Sequence, residues 1–202
     1  MNNLKETNNL NNIYFALRHG ESKSNVLGII LSDPTSGTIE FGLSDKGKEQ
    51  VRESVESSLK KGILDKDTII VSSDFTRARE TAEIALEALG AKEVIISKDL
   101  RERNFGNFER TESSNYQKVW DGDKLDPNHK INNVESANDV LRRVTSLISE
   151  LEKKFKGKKI LLVSHGDALQ ILQTGFFKTC ASKHREIPHL NTAEVRELIL
   201  NP

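Results

Sequence analysis

The stretch Ile13-Tyr14-Phe15-Ala16-Leu17-Arg18-His19-Gly20 decides the fold. Its first five residues are apolar without alternation, which predicts a strand covered on both faces. That strand runs straight into an arginine, a histidine and a glycine. A second stretch repeats the arrangement: Ile160-Leu161-Leu162-Val163 leads into Ser164-His165-Gly166. Two buried strands that each end on His-Gly place polar chemistry at one edge of a sheet.

Working outward, the pattern alternates. Ser44-Asp45-Lys46-Gly47 opens a helix to about Lys61, with Val51, Val55 and Leu59 on one face and Gly62 as its stop. Thr68 to Val71 predicts a strand, Phe75 to Leu89 a helix closed by Gly90, and Val94 to Ile96 a third strand. A charged loop follows over Asp99 to Glu109. Thr111 to Leu125 has room for a short helix, and Asp126 to Asn133 has turn chemistry. Glu135 to Phe155 is amphipathic through Val140, Val144, Leu147, Ile148 and Leu151. Asp167 is placed to cap the helix after the second His-Gly, and Ala193 to Leu200 reads as a last strand. The order predicts an α/β fold: a three-layer α/β/α sandwich with a mostly parallel central sheet. We expect one domain over 13–202, with flap segments near 26–42 and 107–134, after a flexible Asn-rich tail over 1–12.

Composition narrows the partners. Lys+Arg and Asp+Glu are both 30, so the net charge is zero, and no global field favours nucleic acid or a membrane surface. The single cysteine, Cys180, allows no intrachain disulfide. Apolar runs are too short to span a bilayer, and no basic-then-apolar leader is present, so a cytoplasmic location is expected. The chain is expected as a monomer or homodimer.

The strand ends carry coherent chemistry. In open parallel sheets, ligands bind beyond the carboxyl ends of the strands. There the chain delivers Arg18 and His19, then Arg77 just after Ser72-Ser73-Asp74, then Glu102, then His165. Two guanidiniums suit a phosphate monoester, each charge pair contributing roughly 4 kcal/mol at about 4 Å and an effective dielectric near 20, before desolvation. A neutral imidazole is a competent nucleophile, and a carboxyl raised in pKa can protonate a leaving oxygen. Arg101 and Arg103 flank Glu102 and offer it a competing structural role as their ion-pair partner. The two histidines lack carboxylate or thiol companions at zinc spacing, so no metal is expected.

Arg18-His19-Gly20-Glu21-Ser22-x-x-Asn25 resembles the signature of the histidine phosphatase superfamily, phosphoglycerate mutase-like branch. Ser72 to Ala82, Leu100 to Gly106 and Val163 to Gly166 resemble its later blocks, in the family's order. The resemblance implies a phosphohistidine on His19, a phosphate pocket of Arg18, Arg77, His19 and His165, and Glu102 as proton donor. It also implies phosphate-binding positions at Ser22 and Asn25, with Gly166 beside the second histidine. Related acid phosphatases place the donor directly after the second histidine. Here Gly166 intervenes, which favours an N-cap role for Asp167. His184 and His189 are expected on the surface or in the site wall.

Cofactor-dependent mutases carry a longer, more basic insertion where this chain has only Arg110, Lys118, Lys124 and Lys130, with His129, between Glu109 and Asn133. The expected function is therefore a metal-independent, cofactor-free phosphatase of small phosphorylated metabolites. The alternatives are a phosphoglycerate mutase primed by a bisphosphoglycerate, and an inactive phosphate-binding or scaffolding domain.

Overall fold

The computed structural model describes residues 2–202; Met1, first residue of the expected tail, lies outside them. Among the described residues one sheet forms, from β1 (Ile13–Arg18), β2 (Ile69–Ser72), β3 (Val94–Ile96), β4 (Lys159–Ser164) and β5 (Val195–Leu198). The spatial order is β3-β2-β4-β1-β5. β1, β2, β3 and β4 pair in parallel, and β5 closes the edge antiparallel to β1. The two His-Gly strands, β1 and β4, are neighbours in register, Leu17 opposite Val163 and Arg18 opposite Ser164.

Helices cover both faces, as an apolar strand without alternation requires. On one side α6 (Ala137–Lys154) and α7 (Gly166–Phe176) pack on Tyr14, Ala16, Ile160 and Leu162. On the other, α3 (Asp45–Lys60) and α4 (Thr76–Leu89) pack on Phe15, Leu17, Leu161 and Val163. Ser44 caps α3 through Gly47 N and Ser136 caps α6 through Asp139 N, while Gly90 ends α4 at φ 63°. The helix expected from Thr111 is α5 (Tyr116–Leu125). Two short helices are additions to the expected pattern: α1 (Lys23–Leu27), capped by Ser22, and α2 (Pro34–Gly37), capped by Asp33. No helix among the described residues is long and apolar enough to cross a membrane.

The Asn-rich segment does not run free. Leu4 is buried in the α6–α7 core. Asn2 Nδ2 donates to Gly175 O, Asn3 N to Thr145 Oγ1, and Asn12 Nδ2 to Glu152 Oε1 and Phe155 O. Low apolar content points to a tail, but a single leucine with amide side chains on either side suffices to dock it.

The segments 26–42 and 107–134 form a joined cover. Ile30 N donates to Thr111 O and Arg110 N to Ile30 O, while Ser32 donates from N and Oγ to Glu109 Oε2. Ile30, Phe105, Val119 and Val134 give the cover its own apolar cluster.

Close approach of β1's end to α3 depends on Gly20 and Gly47. A Cβ on Gly47 would lie 2.0 Å from Glu21 O, and one on Gly20 2.3 Å from Gly47 O. Alanine normally stabilises a helix by up to about 1 kcal/mol over glycine. Gly47→Ala is expected to do the reverse, losing about 1–3 kcal/mol through overpacking against backbone. Urea denaturation measures it; an increase in stability would refute the close-packing account.

Candidate active site

His19 leaves β1 with its amide bonded to Ser164 O at 3.0 Å, so the neighbouring strand fixes its backbone. Its ring is fixed twice more. Nδ1 lies 2.7 Å from Gly20 O, and since a carbonyl only accepts, Nδ1 carries the proton. Nε2 therefore presents its lone pair, and Arg77 Nε donates to it at 3.1 Å. Burial, then the Arg77 and Arg18 charges, hold His19 well below the ordinary imidazole pKa, so the ring is neutral.

Arg77, on the first turn of α4, is buried; its Nη2 donates to Leu31 O of the cover at 3.0 Å. Arg18 has Nη1 engaged by His189 Nε2 at 2.7 Å and Leu190 O at 2.8 Å. The opposite edge is left open. Arg18 Nε, Arg77 Nη1 and His165 Nδ1 are buried and find no protein partner among the described residues. Two unsatisfied guanidinium donors, Arg18 Nε and Arg77 Nη1, on residues lining one cavity with His19 are costly when unpaired and describe a place for an anion.

His165 follows β4 and is fully buried, edge-on to His19 with ring centroids 5.2 Å apart. Its Nε2 lies 2.9 Å from Ser73 Oγ. It does not line the cavity, which has a volume of about 150 Å³. Arg18, His19, Asn25, Arg77, Glu102 and Gly166 do line it. A Cβ on Gly166 would lie 3.4 Å from Arg18 Nε and 3.5 Å from His189 Cε1, ordinary contact distances, so Gly166 sits directly against that pair.

Ser22 is placed differently from expectation. Its hydroxyl is used in capping α1, accepting from Asn25 N and bonding Asn25 Oδ1 and Ser24 Oγ. Ser24 and Asn25 reach the cavity wall instead.

Glu102 is not the partner of its flanking arginines. Arg101 pairs with Asp74, and Arg103 makes a fully buried two-pronged pair with Asp123 of α5, at 2.6 and 2.8 Å. Glu102 Oε1 accepts from Arg103 N and Ala168 N, and no protein group among the described residues bonds Oε2. Burial raises the Glu102 pKa, and the charge of Asp167 raises it further.

Asp167 is not an N-cap: α7 is capped at His165, and Asp167 sits in the first turn. Its carboxylate accepts from Trp120 Nε1 at 2.9 Å and Arg103 Nη1 at 3.3 Å. Burial alone would raise its pKa, but His184, Arg103 and Arg185 outweigh burial and hold it ionised. His184, expected at the surface or wall, is buried, with Nε2 3.6 Å from Asp167 and 3.7 Å from Asp123. His189 is part of the wall.

Sequence reasoning passes over Tyr116, Trp120 and Arg185, which complete the cavity. Tyr116 and Trp120 stack at 5.5 Å, 8° from parallel, and the Arg185 guanidinium lies 3.7 Å above the Trp120 ring. The i, i+4 aromatic pair in a segment with room for a helix is the available signal.

Comparison with known proteins agrees with this geometry. Over 165 residues the chain is 31% identical to a probable phosphoglycerate mutase GpmB from Escherichia coli, covering 78% of this chain and 71% of that protein. The phosphoserine phosphatase of Entamoeba histolytica, solved as a histidine-to-alanine mutant in complex with phosphoserine, superposes with a TM-score of 0.73 at 25% identity, covering 92% and 89% of the two chains. The alpha-ribazole phosphatase from Shigella flexneri gives 0.72 at 25% identity, with 92% and 89% covered. Residues 14–201 match the histidine phosphatase superfamily (branch 1), and the chain belongs to that family.

Proposed function

We propose that the protein is a metal-independent phosphatase that hydrolyses phosphomonoesters of small metabolites through a phosphohistidine on His19. One observation carries the reading: His19 Nε2 is a neutral, oriented lone pair beside unsatisfied guanidinium donors. The positive charges of Arg77 and Arg18 beside the ring disfavour a metal cation there.

In the proposed reaction Arg18 and Arg77 bind the phosphate oxygens through their open edges. Arg77 Nε exchanges its bond to His19 Nε2 for a phosphate oxygen, and the freed Nε2 lone pair attacks phosphorus, forming the N–P bond as the bond to the leaving oxygen breaks. Protonated Glu102 transfers its proton to that oxygen. The imidazole gains positive charge as it is phosphorylated, and the Nδ1–H bond to Gly20 O stabilises it. Glu102, now a carboxylate, takes a proton from water as that water attacks phosphorus. The N–P bond breaks, and inorganic phosphate leaves. His165, edge-on to His19, contributes its ring dipole to the field that stabilises transition-state charge.

Glu102 is favoured over Asp167 as the acid because the two carboxyls are driven apart. Asp167 is locked ionised by its partners, and its charge helps keep Glu102 protonated. Phosphatase is favoured over mutase because the cover's cations are few and three of the four Lys and Arg between Glu109 and Asn133 are engaged at the surface: Arg110 with Glu40, Lys124 with Asp121 and Lys130 with Asp139. No cofactor bisphosphate is required. The inactive-domain reading loses support because the nucleophile, both arginines, the second histidine and the acid occupy one cluster.

His19→Ala is expected to lose metal-free hydrolysis of an ester panel, with the wild type gaining one phosphate on His19 after rapid, acid-free quenching; hydrolysis surviving in the variant would refute the nucleophile. Glu102→Gln should lower kcat on an alkyl phosphate by about 10²–10⁴. The loss should be smaller on p-nitrophenyl phosphate, whose leaving group needs no proton; equal losses would remove Glu102 from leaving-group protonation.

The pH profile follows. Activity needs neutral His19 and protonated Glu102, so kcat/KM falls on the alkaline side as Glu102 ionises, above the ordinary carboxylate range. Asp167→Asn removes a charge that raises the Glu102 pKa, so the alkaline limb should move to lower pH in a variant still folded by thermal melt. An unmoved limb would show that Asp167 does not tune the acid.

A further inference from the structure

We propose that His189 is the positioning residue for Arg18: Gln170 fixes the His189 tautomer, and His189 in turn holds the Arg18 guanidinium with one edge free for phosphate. The inference deepens the phosphatase reading above and rests on it for the role of Arg18 as a phosphate ligand.

The relay starts on α7. Gln170 is buried, and its Nε2 donates to Ile187 O at 2.7 Å. An amide that donates on that side presents its oxygen on the other. That oxygen, Oε1, accepts from Arg185 Nη1 and lies 3.4 Å from His189 Nδ1. Ile187 and Arg185 thus agree on the orientation of Gln170. An acceptor facing Nδ1 favours the tautomer with its proton there.

The other ring nitrogen gives the same answer. His189 Nε2 lies 2.7 Å from Arg18 Nη1. A guanidinium only donates, so Nε2 accepts, and the neutral ring carries its proton on Nδ1. Leu190 O accepts from the same Nη1 at 2.8 Å. Both hydrogens of Nη1 are therefore committed, to acceptors on consecutive residues. Two bonds at one nitrogen set the rotation of the guanidinium plane. The Nε–Nη2 edge remains, without an acceptor among the described residues and with Nε buried. A planar pair of donors matches two oxygens of a phosphate.

The segment that carries the two acceptors is itself tied down. Arg196 of β5 donates to Pro188 O at 2.6 Å and to His189 O at 2.9 Å, and pairs with Glu194. The relay also needs a neutral ring, since a protonated Nε2 would set a donor against a donor. Burial, then the charges of Arg18 and Arg185, bring the His189 pKa down to about 4; Asp167 opposes them and Arg196 adds to them. His189 supplies no proton to the chemistry. It orders Arg18 in advance, which removes a cost that phosphate binding would otherwise carry.

Ring-nitrogen NMR of isotope-labelled protein, with His189 assigned through His189→Gln, reads the tautomer directly in the wild type. Nδ1–H is expected near neutral pH, and a neutral ring protonated at Nε2 overturns the proposal. Calorimetric titration with inorganic phosphate reads the consequence. His189→Gln, whose amide oxygen reaches the Nε2 position, should bind within about three-fold of the wild type, whereas His189→Leu, shown folded by thermal melt, should bind about ten-fold or more weakly, the range of a charge-assisted hydrogen bond. On a phosphate ester the same loss should appear in KM, with kcat changed less. Equal losses in the two variants, or no loss in His189→Leu, overturn the relay. Failure of the phosphatase reading looks different. His189-dependent phosphate binding with no ester hydrolysis by the wild type keeps His189 and removes that reading, while hydrolysis with phosphate affinity unchanged in His189→Leu removes His189 alone.

Discussion

The bond between His19 Nδ1 and the carbonyl of the next residue is the constraint on which the site depends. It spans one peptide unit, so it forms only because the chain turns at Gly20 immediately after β1. Gly20 N is tied to Thr81 Oγ1 on α4, and the same hydroxyl donates to Arg77 O. One threonine therefore registers the turn after His19, the proposed nucleophile, against the helix that carries Arg77. The tautomer, the direction of the Nε2 lone pair and the approach of Arg77 all follow from this local geometry. Strand β4 adds the second constraint, because Ser164 O fixes His19 N.

A second set of interactions holds the cover to this base. Arg103 is buried between Asp123 of α5 and Asp167 of α7, and Trp120 of α5 donates to the same Asp167. Buried ion pairs of this kind contribute little net stability against a well-packed apolar alternative, but breaking one partner is costly, typically about 3–5 kcal/mol. Their effect here is positional. They fix α5, and with it Tyr116 and Trp120, over the phosphate site. They also hold a negative charge near Glu102 without supplying a competing proton donor. One cluster thus links cover placement to the protonation of the acid.

The layers of the fold are legible in the sequence because β1 and β4 are uninterruptedly apolar, and α3, α4 and α6 carry amphipathic periodicity with ordinary caps. The antiparallel edge and the short helices α1 and α2 are not, since four or five residues hold no periodicity. The docking of residues 2–12 depends on Leu4 meeting a groove between distant helices, which no local pattern reveals. At the site, the strand-end residues are readable because their chemistry sits at sheet carboxyl ends. Ser22 is not, because a capping box and a phosphate contact draw on the same residue types at the same spacing. Asp167 is ambiguous for a similar reason: a helix-opening aspartate looks identical whether it caps its own helix or accepts from another element.

This division has a physical origin. The phosphate base is built from residues within a turn of strand ends, so chain order encodes it. The upper wall is assembled from α5, α7 and the turn after α7, through contacts between residues distant in sequence, such as Gln170 with Arg185 and Arg103 with Asp167. The Arg185 guanidinium is placed by Trp120 against one face and by Gln170 at one nitrogen. Neither condition can be seen from Arg185 and its neighbours in sequence, where it stands as one basic residue between His184 and Glu186. The contacts that set the wall are separate from those that hold His19 and Arg77 at the strand ends, so the two parts of the cavity are positioned independently.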